Sequence, residues 1–257
     1  MLLAIDVGNS TTEFGIYEGD KILARWRVVT QNRTGDELCL FVTGHCNRIN
    51  LSLSGNSDCV LCSVVPPLTQ GFVDMVTSLF GKEPLVVDSS LDTGLRILYR
   101  DPLSVGSDRL ATAAGAVARF GSPIIVVDMG TATTFDVISE SGDYLGGAIA
   151  PGVGTAAEEL FRRAARLPRV ELRKPQTVIG RSTEESLRAG IVYGSAALVD
   201  GVITRIFEEL GATPKVVATG GYSSLIAPHC KHITHVEDAL VLEGLRVIFE
   251  RNRKARK

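Results

Sequence analysis

The sequence predicts an α/β fold made of two duplicated lobes, each a mixed sheet flanked by helices. The first observation behind this is an internal repeat. The segment LLAIDVGNSTTEFGIYEGD beginning at Leu2 aligns with IIVVDMGTATTFDVISESGD beginning at Ile124 at a constant offset of 122 residues. Asp6 falls on Asp128, Gly8 on Gly130, Thr11 on Thr133, Thr12 on Thr134, Ile16 on Ile138 and Glu18 on Glu140. Two Asp-x-Gly turns in register point to a duplicated supersecondary unit. The second observation is that each copy reads as a hairpin: an apolar strand, a glycine-containing turn and a second β-branched run. The third is that strands and helices alternate between and after the copies. Antiparallel hairpins within an alternating pattern imply mixed sheets with helices on their faces.

Taken in order, Leu2–Asp6 reads as a buried strand, and Lys21–Thr30 adds a third antiparallel strand to the first hairpin. Cys59–Val65 is a strand, Leu68–Phe80 a helix and Leu85–Val87 a short strand. Leu110–Phe120 is an Ala-rich helix, capped by Ser107 or Asp108 and stopped by Gly121 with Pro123 beyond. Tyr144–Ile149 is the third strand of the second copy. Ala156–Ala165 is helical, and Thr183–Leu210 holds one or two helices. Lys215–Thr219 is a strand closing on Gly220-Gly221, and Asp238–Arg251 is an amphipathic helix. The expected lobes are residues 1–114 and 115–257, with their Asp-x-Gly turns facing each other across a cleft.

Composition removes several classes of function. A chain of 257 residues is long enough for two modest domains. A net charge of -2 argues against a broad nucleic-acid footprint, which needs clustered Lys and Arg. The only basic run is Arg251, Arg253, Lys254, Arg256 and Lys257, read as a solvated helix end. No run of about 18 uninterrupted apolar residues suggests a membrane span. The apolar N-terminus is broken by Asp6 and lacks a basic leader, so the chain reads as cytoplasmic. Its five cysteines, an odd number, suit reduced thiols. Cys59 and Cys62 form a C-x-x-C on a strand, where residues three apart point to opposite faces, so they read as core cysteines rather than a metal pair. His229, Cys230, His232 and His235 fit no zinc spacing and read as a loop leading to a strand edge.

The chemistry gathers at the two turns. Gly8 and Gly130 let backbone approach a ligand closely. Asn9, Ser10, Thr11, Thr131, Thr133 and Thr134 supply donors suited to phosphate oxygens, and Asp6 and Asp128 are oxygen ligands suited to hard cations. Phosphoryl transfer needs these parts. There is no P-loop, because Gly81-Lys82 is followed by Glu83. Gly152-Val153-Gly154-Thr155-Ala156-Ala157 matches a loose dinucleotide pattern, but Pro151 precedes it and no βαβ unit surrounds it. Gly220-Gly221 could lie flat under a purine or form a plain turn. Gly106-Ser107-Asp108-Arg109 has two readings of equal weight. One is a helix N-cap. The other is an anion site in which Arg109 grips a carboxylate and Asp108 takes a proton from a hydroxyl.

The sequence resembles the type III pantothenate kinases over nearly its whole length. The matching pieces are Asp6-Val7-Gly8-Asn9-Ser10, Gly106-Ser107-Asp108-Arg109, Asp128-Met129-Gly130-Thr131-Ala132, Gly146-Gly147-x-Ile149-x-Pro151-Gly152 and Gly180-x-x-Thr183. The resemblance implies an actin-like, duplicated ribonuclease-H-like fold and a homodimer. It implies transfer of the ATP γ-phosphoryl to the primary hydroxyl of pantothenate, opening coenzyme A synthesis. A divalent cation such as Mg²⁺ is implied, together with K⁺ or NH₄⁺. Carried over by position, Asp6, Val7, Gly8, Asn9, Ser10, Thr11, Thr12, Glu13 and Thr131 would contact ATP. Asp6 would also meet the Mg²⁺, directly or through water. Tyr99, Gly106, Ser107, Asp108, Arg109 and Thr183 would bind pantothenate, Asp108 would accept the proton, and Asp128 would ligate the monovalent cation. Ser10 stands where the family often has Thr, and keeps the hydroxyl. Two rivals follow from the residues: a kinase or hydrolase for another substrate on the same scaffold, and a nucleotide-switched, DNA-associated regulator using the basic tail.

Overall fold

A computed structural model describes residues 1–53 and 55–253. The chain divides into two compact units, residues 1–119 with 240–257, and residues 120–239. In the first unit, β1 (Leu2–Val7), β2 (Thr11–Glu18) and β3 (Lys21–Val29) form an antiparallel meander. Then come α1 (Gly35–Arg48), β4 (Asp58–Ser63), α2 (Pro66–Phe80), β5 (Leu85–Val86), β6 (Arg96–Ile97) and α3 (Ser107–Phe120). The sheet order is β3-β2-β1-β4-β5, with β4 parallel to β1 and β5 parallel to β4.

β1 reads as a continuous apolar run because both its faces are covered. Leu3 and Ile5 pack with Phe14, Leu61 and Met75 beneath α1 and α2. Leu2 and Ala4 pack on the other face with Ala111 of α3 and Leu242 and Leu245 of the last helix, α7 (Leu240–Asn252). Cys59 and Cys62 fall into these two different clusters, as strand alternation requires. α3 and α7 cross where neither carries a side chain: a Cβ on Gly115 would lie 2.2 Å from Leu240 O, and one on Gly244 would lie 1.7 Å from Ala111 O.

In the second unit, β7 (Ile124–Met129), β8 (Ala132–Ile138) and β9 (Asp143–Pro151) form the meander. α4 (Val153–Arg163), α5 (Thr183–Leu210), β10 (Lys215–Thr219), α6 (Ser223–Ile226) and β11 (His235–Val236) follow. Its strands run in the order β9-β8-β7-β10-β11, the same as in the first unit. Ile125, Val127, Met129 and Phe135 pack against Val192, Ala196, Val199 and Ile203 of α5. α5 is a single helix with an apolar stretch of mean hydropathy 1.4, so by length and composition it could cross a membrane, although no 18-residue apolar run stands out in the sequence.

The duplication extends to fine detail. β1 and β7 share one burial pattern and correspond at an offset of 122. Past the turn the correspondence shifts by one residue. Val7 pairs with Thr12, but Met129 pairs with Thr133, so Thr12 is equivalent to Thr133 rather than Thr134, and Phe14 to Phe135. The cause is a shorter second turn, closed by Gly130 N donating to Ala132 O (3.0 Å), where Gly8 N donates to Thr11 O (3.1 Å). A one-residue slip reverses every side chain, and Thr12 and Thr133 are accordingly both buried. Both second strands also carry a register irregularity at the equivalent step, Ile16/Tyr17 and Val137/Ile138.

Several elements differ from the sequence expectation. α1 has no strong apolar period, but Thr34 and Glu37 form a reciprocal capping box at its start. α7 lies at the chain's end yet packs with the first unit, whereas the expected division grouped it with the second. His229 packs on Tyr193, His232 on Phe207 and His235 on Phe120, three separate places. Among the described residues, no three His, Cys, Asp or Glu side chains form a metal-binding group. Arg251 pairs with Asp92 at 3.0 Å, and Arg253 with Glu250 at 3.7 Å. Lys254, Arg256 and Lys257 of the basic run lie outside the described residues.

Candidate active site

In the first unit the Asp-x-Gly turn is braced from behind. Thr30 Oγ1 donates to Gly8 O (2.7 Å), Thr30 N donates to Ser10 O (3.0 Å), and the Thr30 and Thr12 hydroxyls share a hydrogen bond of 2.9 Å. Val7 and Thr12 are buried, while Asn9, Ser10 and Thr11 project to the surface. The donors suited to phosphate therefore sit on a fixed scaffold. Glu13 is 5% exposed and its carboxylate is held by Arg25 and Arg27 of β3. Thr30, Arg25 and Arg27 drew no notice in the sequence, because their partners lie a hairpin away.

The start of α3 comes to the same region. Asp6 on β1 is the register partner of Cys62 on β4, and the Cys62 thiol donates to Ser107 Oγ (3.2 Å) in the first turn of α3. Burial, then the nearby Asp6 and Asp108 carboxylates, push the thiol well above its usual range. Asp6, Ser107 and Asp108 are thus gathered around one side chain. Gly106, not Ser107 or Asp108, is the cap of α3: its carbonyl accepts from Leu110 N (3.1 Å), and the helix begins at Ser107. Asp108 Oδ1 folds back to accept from Arg109 N (2.8 Å), over a space that a Cβ on Gly106 would fill at 2.4 Å. Burial raises the Asp108 carboxyl above its ordinary value, against the backbone donor and charge of Arg109, which lower it. Gly106 caps the helix by its backbone, and the Asp108 carboxylate also serves the helix start through Arg109 N. A half-buried carboxyl raised by burial suits a proton acceptor as well. Tyr99, also of this unit, is half-buried on the segment after β6.

In the second unit the turn after β7 is surrounded by glycines. A Cβ on Gly220 would lie 2.3 Å from Asp128 Oδ1, and one on Gly152 would lie 2.3 Å from Thr131 O. Thr155 Oγ1 donates to Thr131 O (2.7 Å) and Tyr222 N donates to Met129 O (3.1 Å). Gly152 and Gly154 are thus packing glycines, the latter beneath the Tyr222 ring. The strand before them, β9, pairs antiparallel, so the loose dinucleotide pattern has no βαβ context. Asp136 is fully buried and accepts from Tyr144 Oη (2.6 Å) and Thr134 Oγ1 (3.3 Å). Thr183 is exposed at the start of α5, just after its cap Ser182.

The profile described as type III pantothenate kinase matches residues 2–205. The chain belongs to this family. A type III pantothenate kinase from Moorella thermoacetica is 47% identical over 253 residues, covering 98% of this chain and 100% of the relative. Another, from Geobacter sulfurreducens, is 45% identical over 255 residues, covering 99% and 100%. Among solved structures, the activator of the 2-hydroxyisocaproyl-CoA dehydratase from Clostridium difficile aligns with a TM-score of 0.53 at 13% identity, over 99% of this chain and 95% of that one. The inorganic polyphosphate/ATP-glucomannokinase from Arthrobacter aligns at 0.51 and 15%, over 96% of both. At such identities the likeness is one of fold, and the fold of this pantothenate kinase family member is the actin-like one.

Proposed function

We propose that the protein phosphorylates pantothenate at its primary hydroxyl with ATP, giving 4'-phosphopantothenate and ADP, the opening step of coenzyme A synthesis. Family membership supports the substrates, and the observation that carries the mechanism is Asp108, half-buried with its carboxyl raised by burial and, like Asp6, close to the Cys62 side chain. Asp6 to Glu13 and Thr131 hold ATP, with the backbone and hydroxyls of the first turn toward its phosphates. Asp6, an oxygen ligand suited to a hard cation, would hold a divalent cation, which when bound would supply neutralisation of charge on the phosphoryl group. Tyr99, Gly106, Ser107, Arg109 and Thr183 position pantothenate, Arg109 through its carboxylate. Asp108 accepts the hydroxyl proton as that oxygen bonds to the γ-phosphorus and the bond to ADP breaks. Such positioned acid–base help contributes roughly 10²–10⁴-fold.

Asp128 is the ligand we assign to K⁺ or NH₄⁺. The support is the glycine cradle: Gly220 leaves open the space against Oδ1 that any side chain would close. We further propose a cytoplasmic homodimer. The support for the dimer is α5, where Gly190, Gly194, Ala197 and Leu198 lie exposed at helical spacing on one face. Sedimentation at micromolar concentration should give twice the 27.5 kDa chain mass.

The test of the activity is product identity. With γ-labelled ATP, Mg²⁺ and pantothenate, label should move to 4'-phosphopantothenate. Label released as free phosphate regardless of pantothenate would make the protein a hydrolase and end this reading.

A further inference from the structure

We infer that Cys62 is a positioning residue for this reaction, tying the Asp6 strand to the first turn of α3 and so fixing Asp108. The inference rests on the reading of Asp108 as proton acceptor. Three observations carry it. Cys62 is fully buried and sits between two site residues: it donates to Ser107 Oγ at 3.2 Å, and Asp6 is its register partner on the neighbouring strand β1. Cys39 and Cys230, by contrast, donate only to backbone carbonyls, of Met75 and of Ala196 and Ile226. The duplication supplies the third. In the second unit the residue in register with Asp128 is Thr219, also buried and also able to donate. Both sheets therefore place a small donor side chain beside the aspartate at the end of the central strand. Apolar packing alone would be met there by the Val and Ala found at the preceding positions of β10, Val217 and Ala218.

Ser107 is the residue immediately before Asp108, on the first turn of a helix whose cap is a glycine with no side chain to hold it. Asp108 Oδ1 holds this turn from within by accepting from Arg109 N, and the thiol adds a hold from the strand side. Losing one such hydrogen bond corresponds to about a three- to tenfold change.

The experiment compares Cys62→Ala, Cys62→Ser and Ser107→Ala, each alone and with Asp108→Asn, in pantothenate-dependent turnover. Cys62→Ala should lower kcat about three- to tenfold with the KM for ATP changed by less than about twofold. Cys62→Ser, which keeps a donor, should recover most of the loss. In the Asp108→Asn background Cys62→Ala should cost nothing more, because the residue it positions is gone. Wild-type turnover in Cys62→Ala, a Cys62→Ser as impaired as Cys62→Ala, or full additivity with Asp108→Asn would each overturn the inference. Should Cys62→Ala not fold, Ser107→Ala breaks the same bond from the helix side, and its wild-type kcat would overturn it equally. Failure of the underlying reading looks different: Asp108→Asn itself would then turn over at the wild-type rate.

Discussion

Gly220 lies so close to Asp128 that a Cβ on it would stand 2.3 Å from Oδ1 and 2.7 Å from the Met129 backbone. Gly220 also has φ +91°, in the left-handed region where other residues are strained. Gly220→Ala should therefore displace the Asp128 carboxylate. The strain, about 1–3 kcal/mol, corresponds to roughly tenfold or more. Activity titrated against KCl should show a weakened potassium response in this variant.

Asp108→Asn should lower kcat by about 10²–10⁴-fold while ATP still binds, which a nucleotide titration checks. The pH dependence follows from burial, which raises this carboxyl. In the wild type, the acid limb of kcat/KM should lie above the ordinary carboxylate range. The folded protein also holds this proton more tightly than the unfolded chain. Its contribution to stability is then present at low pH and lost as pH rises through the folded value. Asp108→Asn should accordingly melt above wild type at neutral pH, with the gap closing as the pH falls below the ordinary carboxyl range.

Gly244→Ala should unfold more easily by about 1–3 kcal/mol, because its Cβ would fall 1.7 Å from Ala111 O where α7 crosses α3. A lowered urea midpoint with an unchanged slope is the expected result.

Tyr144→Phe removes the 2.6 Å donor to the buried Asp136 carboxylate. The expected loss is about 1–3 kcal/mol of stability, read from thermal or urea unfolding.

Much of this was legible in the sequence. The repeat at Asp6 and Asp128 announced the duplicated lobes, because a strand ending in Asp-x-Gly keeps its pattern when both faces are buried. The exact register past the turn was not, because a turn shortened by one residue leaves local composition almost unchanged while moving Thr12 onto Thr133. α1 escaped notice for want of a strong apolar period, although its capping box at Thr34 and Glu37 was there to be read. Cys62 was correctly read as a core cysteine. Its link to Ser107 depends on a helix 45 residues away meeting β4, and nothing local signals that.

The most direct test is ADP release, measured by a coupled assay with ATP and Mg²⁺, with and without pantothenate, in potassium and in sodium buffer. Turnover that requires pantothenate and is stimulated by potassium is the predicted result. ADP release at the same rate whether or not pantothenate is present would contradict the assignment of Asp108 and its neighbours to a pantothenate hydroxyl.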